Sequence, residues 1–409
     1  MGPFVALLRR LAVLQRLGAP LRLHVQVWRW MVRLGVREFA FLYAAIDAVW
    51  LKLAASRRRL SAVIPAALLA TEARYAWLAW RSARAVSDAL ADYPPSPEEV
   101  RFPRSHLAFP FLMLFSGSVE RERGVVYHSE PRRRVRLDVY RPRRPAPAGT
   151  RRPAVIQVHG GGWIVGSRLE QGIPLLNHLA ANGWVGFNID YRLSPRATMP
   201  EHVIDVKRAI AWVRAHADEL GVDPARIALT GGSAGGHLTA LAALTADDES
   251  LQPGFEGADT SVAAAVPFYG VYDFTDPDQL YAPGIRDWLL SQVVIKRPLA
   301  EARELWEAFS PIHRVHAGAP PFLVFHGEED SLVPIDDARA FVNRLAAVSD
   351  NPARLVELPG AEHAFDLFPS LRTARVVEGI ERFLRATVKP PPEDPGTASS
   401  DRASIVSRA

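Results

Sequence analysis

From about residue 121 to residue 388 the sequence predicts an α/β fold, a mostly parallel central sheet with helices on both faces. Three observations carry that expectation. Short β-branched runs recur at residues 125–127, 135–140, 154–158, 185–189, 227–230, 262–268, 322–325 and 355–358. Helical patterns separate several of them, the clearest being 203–216, where Val206, Ile210 and Val213 share one face. Most of the runs are apolar throughout, as strands covered above and below must be. The first two have no helix between them and predict an antiparallel start to the sheet.

Two flanking zones differ in composition. Residues 1–120 are rich in Leu, Ala, Trp and Arg at helical spacing and predict a helical N-terminal extension. Residues 389–409 open on Lys389-Pro390-Pro391-Pro392 and predict a disordered tail, since such a composition cannot bury a core. With 48% apolar and 23% charged residues, the 409-residue chain has the composition of a globular protein. It contains no cysteine, which excludes disulfides, thiolate metal sites and a cysteine nucleophile. The net charge of +5 comes without any nucleic-acid-binding motif, so no nucleic-acid partner is expected.

The extension is basic: seven arginines precede its first acidic residue, Glu38, which suits anionic lipid headgroups. Its apolar runs at 4–8, 39–51 and 60–71 are each cut short by charge or proline. None reaches the ~18–20 uncharged residues of a spanning helix, and no clear cleavable signal stands out. The sequence therefore reads as cytoplasmic or peripherally membrane-associated. The extension has two readings. Its helices pack on the α/β domain or on a second copy of the chain in a homodimer, or they form an interfacial anchor. In the anchor, Trp28, Trp30, Trp50, Trp77 and Trp80 lie at headgroup depth.

The chemistry concentrates in four short motifs. Gly231-Gly232-Ser233-Ala234-Gly235-Gly236 matches the G-x-S-x-G nucleophile elbow, with the strand at 227–230 leading in and a helical pattern leading out. A serine on so sharp a turn needs small neighbours. The other reading of a glycine turn here, a phosphate loop, would call for Gly-Lys-Ser/Thr, which is absent. Upstream, His159-Gly160-Gly161-Gly162-Trp163 follows the strand at 154–158 as an HGGG-type loop. Its glycines can turn N–H groups toward an oxyanion. Gly161, Gly162 and Ala234 are the candidate donors, and His159, Gly160 and Trp163 brace the loop. Downstream, Asp330 follows the strand at 322–325, and His363 lies on a loop just past the strand at 355–358. Both therefore fall at strand C-terminal ends, where catalytic groups of open α/β sheets gather. Asp330 would orient His363, and His363 would take the Ser233 proton. Glu328 and Glu329 read as solvated loop charges, and His326 as a hydrogen-bonding partner within the acid loop.

With these motifs, and with Asp190-Tyr191-Arg192-Leu193-Ser194-Pro195, residues 124–388 resemble the hormone-sensitive-lipase-like branch of the α/β hydrolases. The actinobacterial lipase/esterase group is the nearest part of that branch. The resemblance implies an α/β-hydrolase fold and hydrolysis of carboxylic esters without metal or cofactor. It implies the triad Ser233, Asp330 and His363, with oxyanion donors Gly161, Gly162 and Ala234. A serine peptidase of the same fold and a non-catalytic ligand-binding homologue are the alternatives. Two departures stand out: Gly232 where many relatives carry Asp, and an N-terminal zone longer than the short cap of simpler relatives. The apolar insertion at about 272–320, with Trp288, Leu289, Leu290, Val293, Val294, Leu305, Trp306 and Phe309, is a natural lid over an acyl pocket.

Overall fold

The computed structural model describes residues 13, 15–55, 63–95, 103, 105–106, 109–130, 133–147, 149–281 and 284–388. The tail expected at 389–409 and the apolar run at 4–8 lie outside the described residues. Among the described residues eight strands form one sheet: β1 (Val119–Glu130), β2 (Arg133–Pro142), β3 (Arg152–Val158), β4 (Val185–Ile189), β5 (Val222–Gly232), β6 (Ala264–Phe268), β7 (Phe322–Gly327) and β8 (Ala353–Leu358). Their order is β1-β2-β4-β3-β5-β6-β7-β8. The pairs β1/β2 and β2/β4 are antiparallel, and every other neighbouring pair is parallel. This is the expected mostly parallel sheet with an antiparallel start. Several strands outrun the β-branched stretches that announced them. In β1, for example, the charged Glu120, Arg121, Glu122 and Arg123 hide four strand residues from a search for apolar runs.

Alternate residues of the central strands point to opposite faces, and each face is dry. Ile156, Leu229, Ala265 and Val324 pack on one side among the helices Glu201–Ala215, Ala234–Leu244 and Ile335–Val348. Val155, Ala228, Val266 and Leu323 pack on the other, among Ile173–Ala181 and Leu371–Thr387. Because a strand's side chains alternate with period two, a continuous apolar run satisfies both faces at once.

Among the described residues three α-helices precede the sheet: α1 (Leu21–Glu38), α2 (Ala40–Ala55) and α3 (Val63–Ala89). The spacing of Leu23, Val27, Trp30 and Leu34 places them on one face of α1, and this face turns to the core. Residue 360, a glycine at φ +63° in the turn before His363, packs against Leu78 of α3. Val86 of α3 fits over Gly379, where a Cβ would come within 2.3 Å of its methyl group. A buried ion pair joins Glu38 to Arg372, with Ser370 also donating to Glu38 at 2.6 Å. Trp28, Trp50, Trp77 and Trp80 are exposed. Trp30 corrects the expectation of five headgroup-facing tryptophans, because it is only 3% exposed and belongs to the interior. No helix among the described residues is long and apolar enough to cross a membrane.

Two buried histidines make the fold sensitive to acid. His202 shares a hydrogen bond with Ser194 Oγ at 3.1 Å, and His237 Nε2 donates to Phe309 O at 2.8 Å. Burial pushes both imidazoles down from the ordinary 6.5 to about 3. Their contribution to stability is present above pH 6.5 and is lost as pH falls toward about 3. Asp337 has the opposite sign. Burial pushes its carboxyl up from 3.8 to about 7, so its contribution is complete below 3.8 and lost as pH rises through 7. The two histidines thus weaken the fold as pH falls from 6.5, while Asp337 works the other way. Replacing His202 and His237 by Gln should therefore shift the change in calorimetric Tm between pH 6.5 and 3.8 in the favourable direction relative to wild type; an identical pH dependence in the two proteins would contradict the assignment.

Candidate active site

Strand β5 ends at Gly232 and the nucleophile helix (Ala234–Leu244) begins two residues later. Ser233 between them has φ +58° and ψ −122°, a conformation that L-residues seldom adopt. The turn exists because its neighbours are glycines. A Cβ on Gly235 would stand 2.2 Å from Val158 O, inside the adjacent strand's backbone. The sharp turn lifts the Ser233 hydroxyl above the C-terminal edge of the sheet.

The three residues singled out as nucleophile, base and acid meet there. His363 Nε2 lies 2.9 Å from Ser233 Oγ, and His363 Nδ1 lies 2.7 Å from Asp330 Oδ2. The base is only 4% exposed and the acid side chain is fully buried. Asp330 Oδ1 accepts the backbone N–H groups of Leu332 at 2.9 Å and Val333 at 2.8 Å. His326 Nε2 donates to Val333 O at 2.8 Å and lies 3.2 Å from Asp330 Oδ2. Burial works to raise the Asp330 carboxyl, but His363 and His326 outweigh it and hold the group well below the usual carboxylate range. An ionised acid thus faces Nδ1 of the imidazole, and the ring's other nitrogen, Nε2, faces a serine hydroxyl.

The glycine loop after β3 brings Gly161 and Gly162 to the same cavity, at φ +122° and +59°. Ala234 opens its helix, so its N–H has no acceptor inside that helix. His159 sits behind the loop. Its Nδ1 donates to Gly160 O at 2.9 Å, and its ring stacks on Tyr191 at 4.3 Å. Gly160 donates its N–H to Gln171 Oε1 at 2.8 Å. Trp163, 2% exposed, packs edge to face with His237 and Phe274 and accepts the Ser194 N–H on its carbonyl at 2.8 Å. These contacts fix the loop by packing, with Gly161 and Gly162 on the cavity that holds Ser233.

A cavity of about 130 Å³ opens beside Ser233, walled by Ile164, Val165, Val271, Leu332 and Val333 from the α/β domain. Ile285 and Leu289 of the insertion reach it, from a π-helix spanning Ile285–Val294. Trp306, Phe309 and Val294, from the same insertion, are instead packed into the core. Leu23, Val27 and Trp30 of α1 form a further wall. Trp30 Nε1 donates to the carbonyl of His363 at 2.8 Å. The sequence reading missed this wall. The α1 stripe was legible as helical, but nothing local says that it docks 333 residues away.

Gly232 explains itself here. A Cβ at this position would stand 2.5 Å from the Tyr269 hydroxyl. Tyr269 has φ +34°, its ring lies 4.7 Å from that of His363, and its hydroxyl donates to Asp366. The space that a side chain before the serine would fill is held by this tyrosine. Gly232→Asp should therefore displace Tyr269 and cost activity rather than restore a family feature. We expect kcat to fall at least tenfold and Tm to drop by several degrees, on the order of the 1–3 kcal/mol that overpacking costs. Wild-type activity in Gly232→Asp would contradict this packing argument.

Three comparisons bear on this geometry. The BD-FAE family model matches residues 137–345, just over half of the chain. The probable carboxylic ester hydrolase LipM of Mycobacterium tuberculosis is 49% identical over 261 residues, 64% of this chain and 60% of that protein. The chain thus spans about three fifths of the length of this curated relative. Among solved structures, Thermogutta terrifontis esterase 2 phosphonylated by sarin is 31% identical, with a TM-score of 0.56, covering 66% of this chain and 94% of that one. The butyrate-bound form of the same esterase is 31% identical with a TM-score of 0.54, at the same coverage. The strand order, the elbow and the matched span agree: the chain belongs to the BD-FAE family of hormone-sensitive-lipase-like α/β hydrolases.

Proposed function

We propose that this protein is a serine carboxylic ester hydrolase acting through an acyl-enzyme. The observation that carries the reading is the unbroken relay from Ser233 Oγ through His363 to a buried, ionised Asp330. Ser233 attacks the ester carbonyl while His363 takes its proton, and the N–H groups of Gly161, Gly162 and Ala234 meet the oxyanion. His363 then protonates the departing alcohol. Water repeats the sequence on the acyl-enzyme, with His363 as base, and regenerates the serine. No step calls for a metal or a cofactor.

The almost wholly apolar walls support an aliphatic or aromatic acyl group in the cavity, with α1 and the insertion at 285–294 as its cover. A p-nitrophenyl ester series from acetate to palmitate tests both statements. Hydrolysis with an optimum at one chain length is expected, and Trp30→Ala should move that optimum to longer chains by opening the α1 wall. Failure of the folded protein to hydrolyse any ester would overturn the activity.

The substrate's setting is a lipid surface in this reading. The pole of α1 opposite the cavity carries exposed Val25, Trp28, Val32 and Val36, flanked by the exposed Arg29 and Arg33. Trp50 on α2 and Trp77 and Trp80 on α3 are exposed as well. Apolar side chains beside arginines suit the interface of an anionic bilayer. Wild-type protein should co-sediment with phosphatidylserine vesicles, and Trp28→Glu with Val32→Glu should weaken binding at least tenfold. Equal sedimentation of the two proteins would refute the surface assignment, and a wild type that self-associates without binding vesicles would assign the face to a homodimer.

A further inference from the structure

The acid and the base of the triad stand on two separate loops, one after β7 and one after β8, and their separation must be held to a fraction of an ångström. Glu362, the residue before the base, lies between those loops with its side chain fully buried. Its Oε1 accepts the N–H of Ser331 at 2.7 Å and the N–H of His363 at 3.0 Å. One carboxylate oxygen therefore joins the residue after the acid to the base itself. Its Oε2 lies 3.5 Å from Nη1 of Arg37 on α1. Arg37 is buried as well, and it also pairs with Glu329, the residue before the acid. Glu362, Arg37, Glu329, Ser331 and His363 make a clasp that runs from the N-terminal helix across both catalytic loops.

We propose that Glu362, held by Arg37, is a positioning residue for the proton relay, and that α1 through this clasp is part of the catalytic machinery. The inference rests on the triad reading above. Glu362 does not line the cavity beside Ser233, so it acts on the reaction only through the loops it joins. A buried carboxylate is costly unless hydrogen-bonded, and here every bond it makes goes to the two catalytic loops or to α1. Removing it would leave the two backbone N–H groups without their acceptor and take away one of the two carboxylates that face Arg37. The loops would then settle at a different spacing, and a displacement of about 1 Å at a reacting group is enough to cost roughly 100-fold in rate.

The test measures kcat, KM and Tm on the full chain with a short, soluble p-nitrophenyl ester, for wild type, Ser233→Ala, Glu362→Ala, Glu362→Gln and Arg37→Met. Glu362→Ala is expected to lower kcat about 100-fold with KM within about twofold of wild type. Glu362→Gln keeps an oxygen for the two N–H groups and should recover to within about tenfold of wild type. Arg37→Met should lower kcat by about tenfold, also at constant KM, since it removes the clasp but leaves the loop-to-loop bonds. Full kcat in Glu362→Ala, or a loss that the glutamine does not rescue and that follows Tm alone, would overturn the proposal. Should Glu362→Ala not fold, unchanged kcat in both Glu362→Gln and Arg37→Met would overturn it. Ser233→Ala separates the two levels: equal hydrolysis by that variant would sink the triad reading, whereas a dead Ser233→Ala beside a fully active Glu362→Ala sinks only the clasp.

Discussion

Ser233→Ala is expected to lower kcat for a p-nitrophenyl ester by about 10⁴-fold or more while leaving the fold intact. The expectation is large because nothing else in the cavity can replace the hydroxyl. The walls are aliphatic and aromatic apart from Gln171, Tyr269 and His363. His363 could still activate a water, and the oxyanion donors would remain, so a residual rate above the uncatalysed reaction should survive. Ser233 donates its hydroxyl hydrogen only toward His363, so the alanine leaves no large cavity and little change in Tm should accompany the loss. A variant retaining more than a tenth of wild-type kcat would place the nucleophile elsewhere.

Asp330→Asn is expected to cost about 10⁴-fold in kcat, and the environment of the carboxylate says why. Oδ1 faces two backbone donors, the N–H groups of Leu332 and Val333 at 2.9 and 2.8 Å. An asparagine must therefore put its oxygen there and turn its NH₂ toward His363. Facing a donor, His363 Nδ1 becomes an acceptor, and the ring proton moves to Nε2, which points at Ser233. In that tautomer the histidine cannot take the serine proton. The same NH₂ would also confront His326 Nε2, whose hydrogen is committed to Val333 O. The measurement is kcat against pH: the loss should persist at every pH where the protein is folded. A loss smaller than tenfold would show that Asp330 does not set the tautomer.

Much of this site was legible because its parts are local. Ser233, the glycine loop from His159 and the carboxylate Asp330 each sit within a few residues of an apolar strand, and the turn chemistry is written in adjacent residues. His363 follows β8 in the same way. The strands themselves were legible where both faces are buried, as in β3 and β4, and blurred where charge enters, as in β1. What stayed hidden is what depends on docking between distant segments. The spacing of Leu23, Val27 and Trp30 announces a buried helical face without naming the surface that buries it. Glu362 reads as a loop charge beside a histidine, and only its burial against Ser331 and Arg37 distinguishes it. Gly232 looked like a departure from a family pattern, and its reason lies in Tyr269, a strand-end residue with no sequence signature.

The central claim is that Ser233 is an activated nucleophile, and a fluorophosphonate tests it most directly. Such a reagent bonds only to a hydroxyl made nucleophilic by its neighbours. The folded wild type should take up one equivalent, with the adduct mass on the peptide that contains Ser233, and Ser233→Ala should take up none. No labelling of the folded wild type, or equal labelling of Ser233→Ala, would contradict the account.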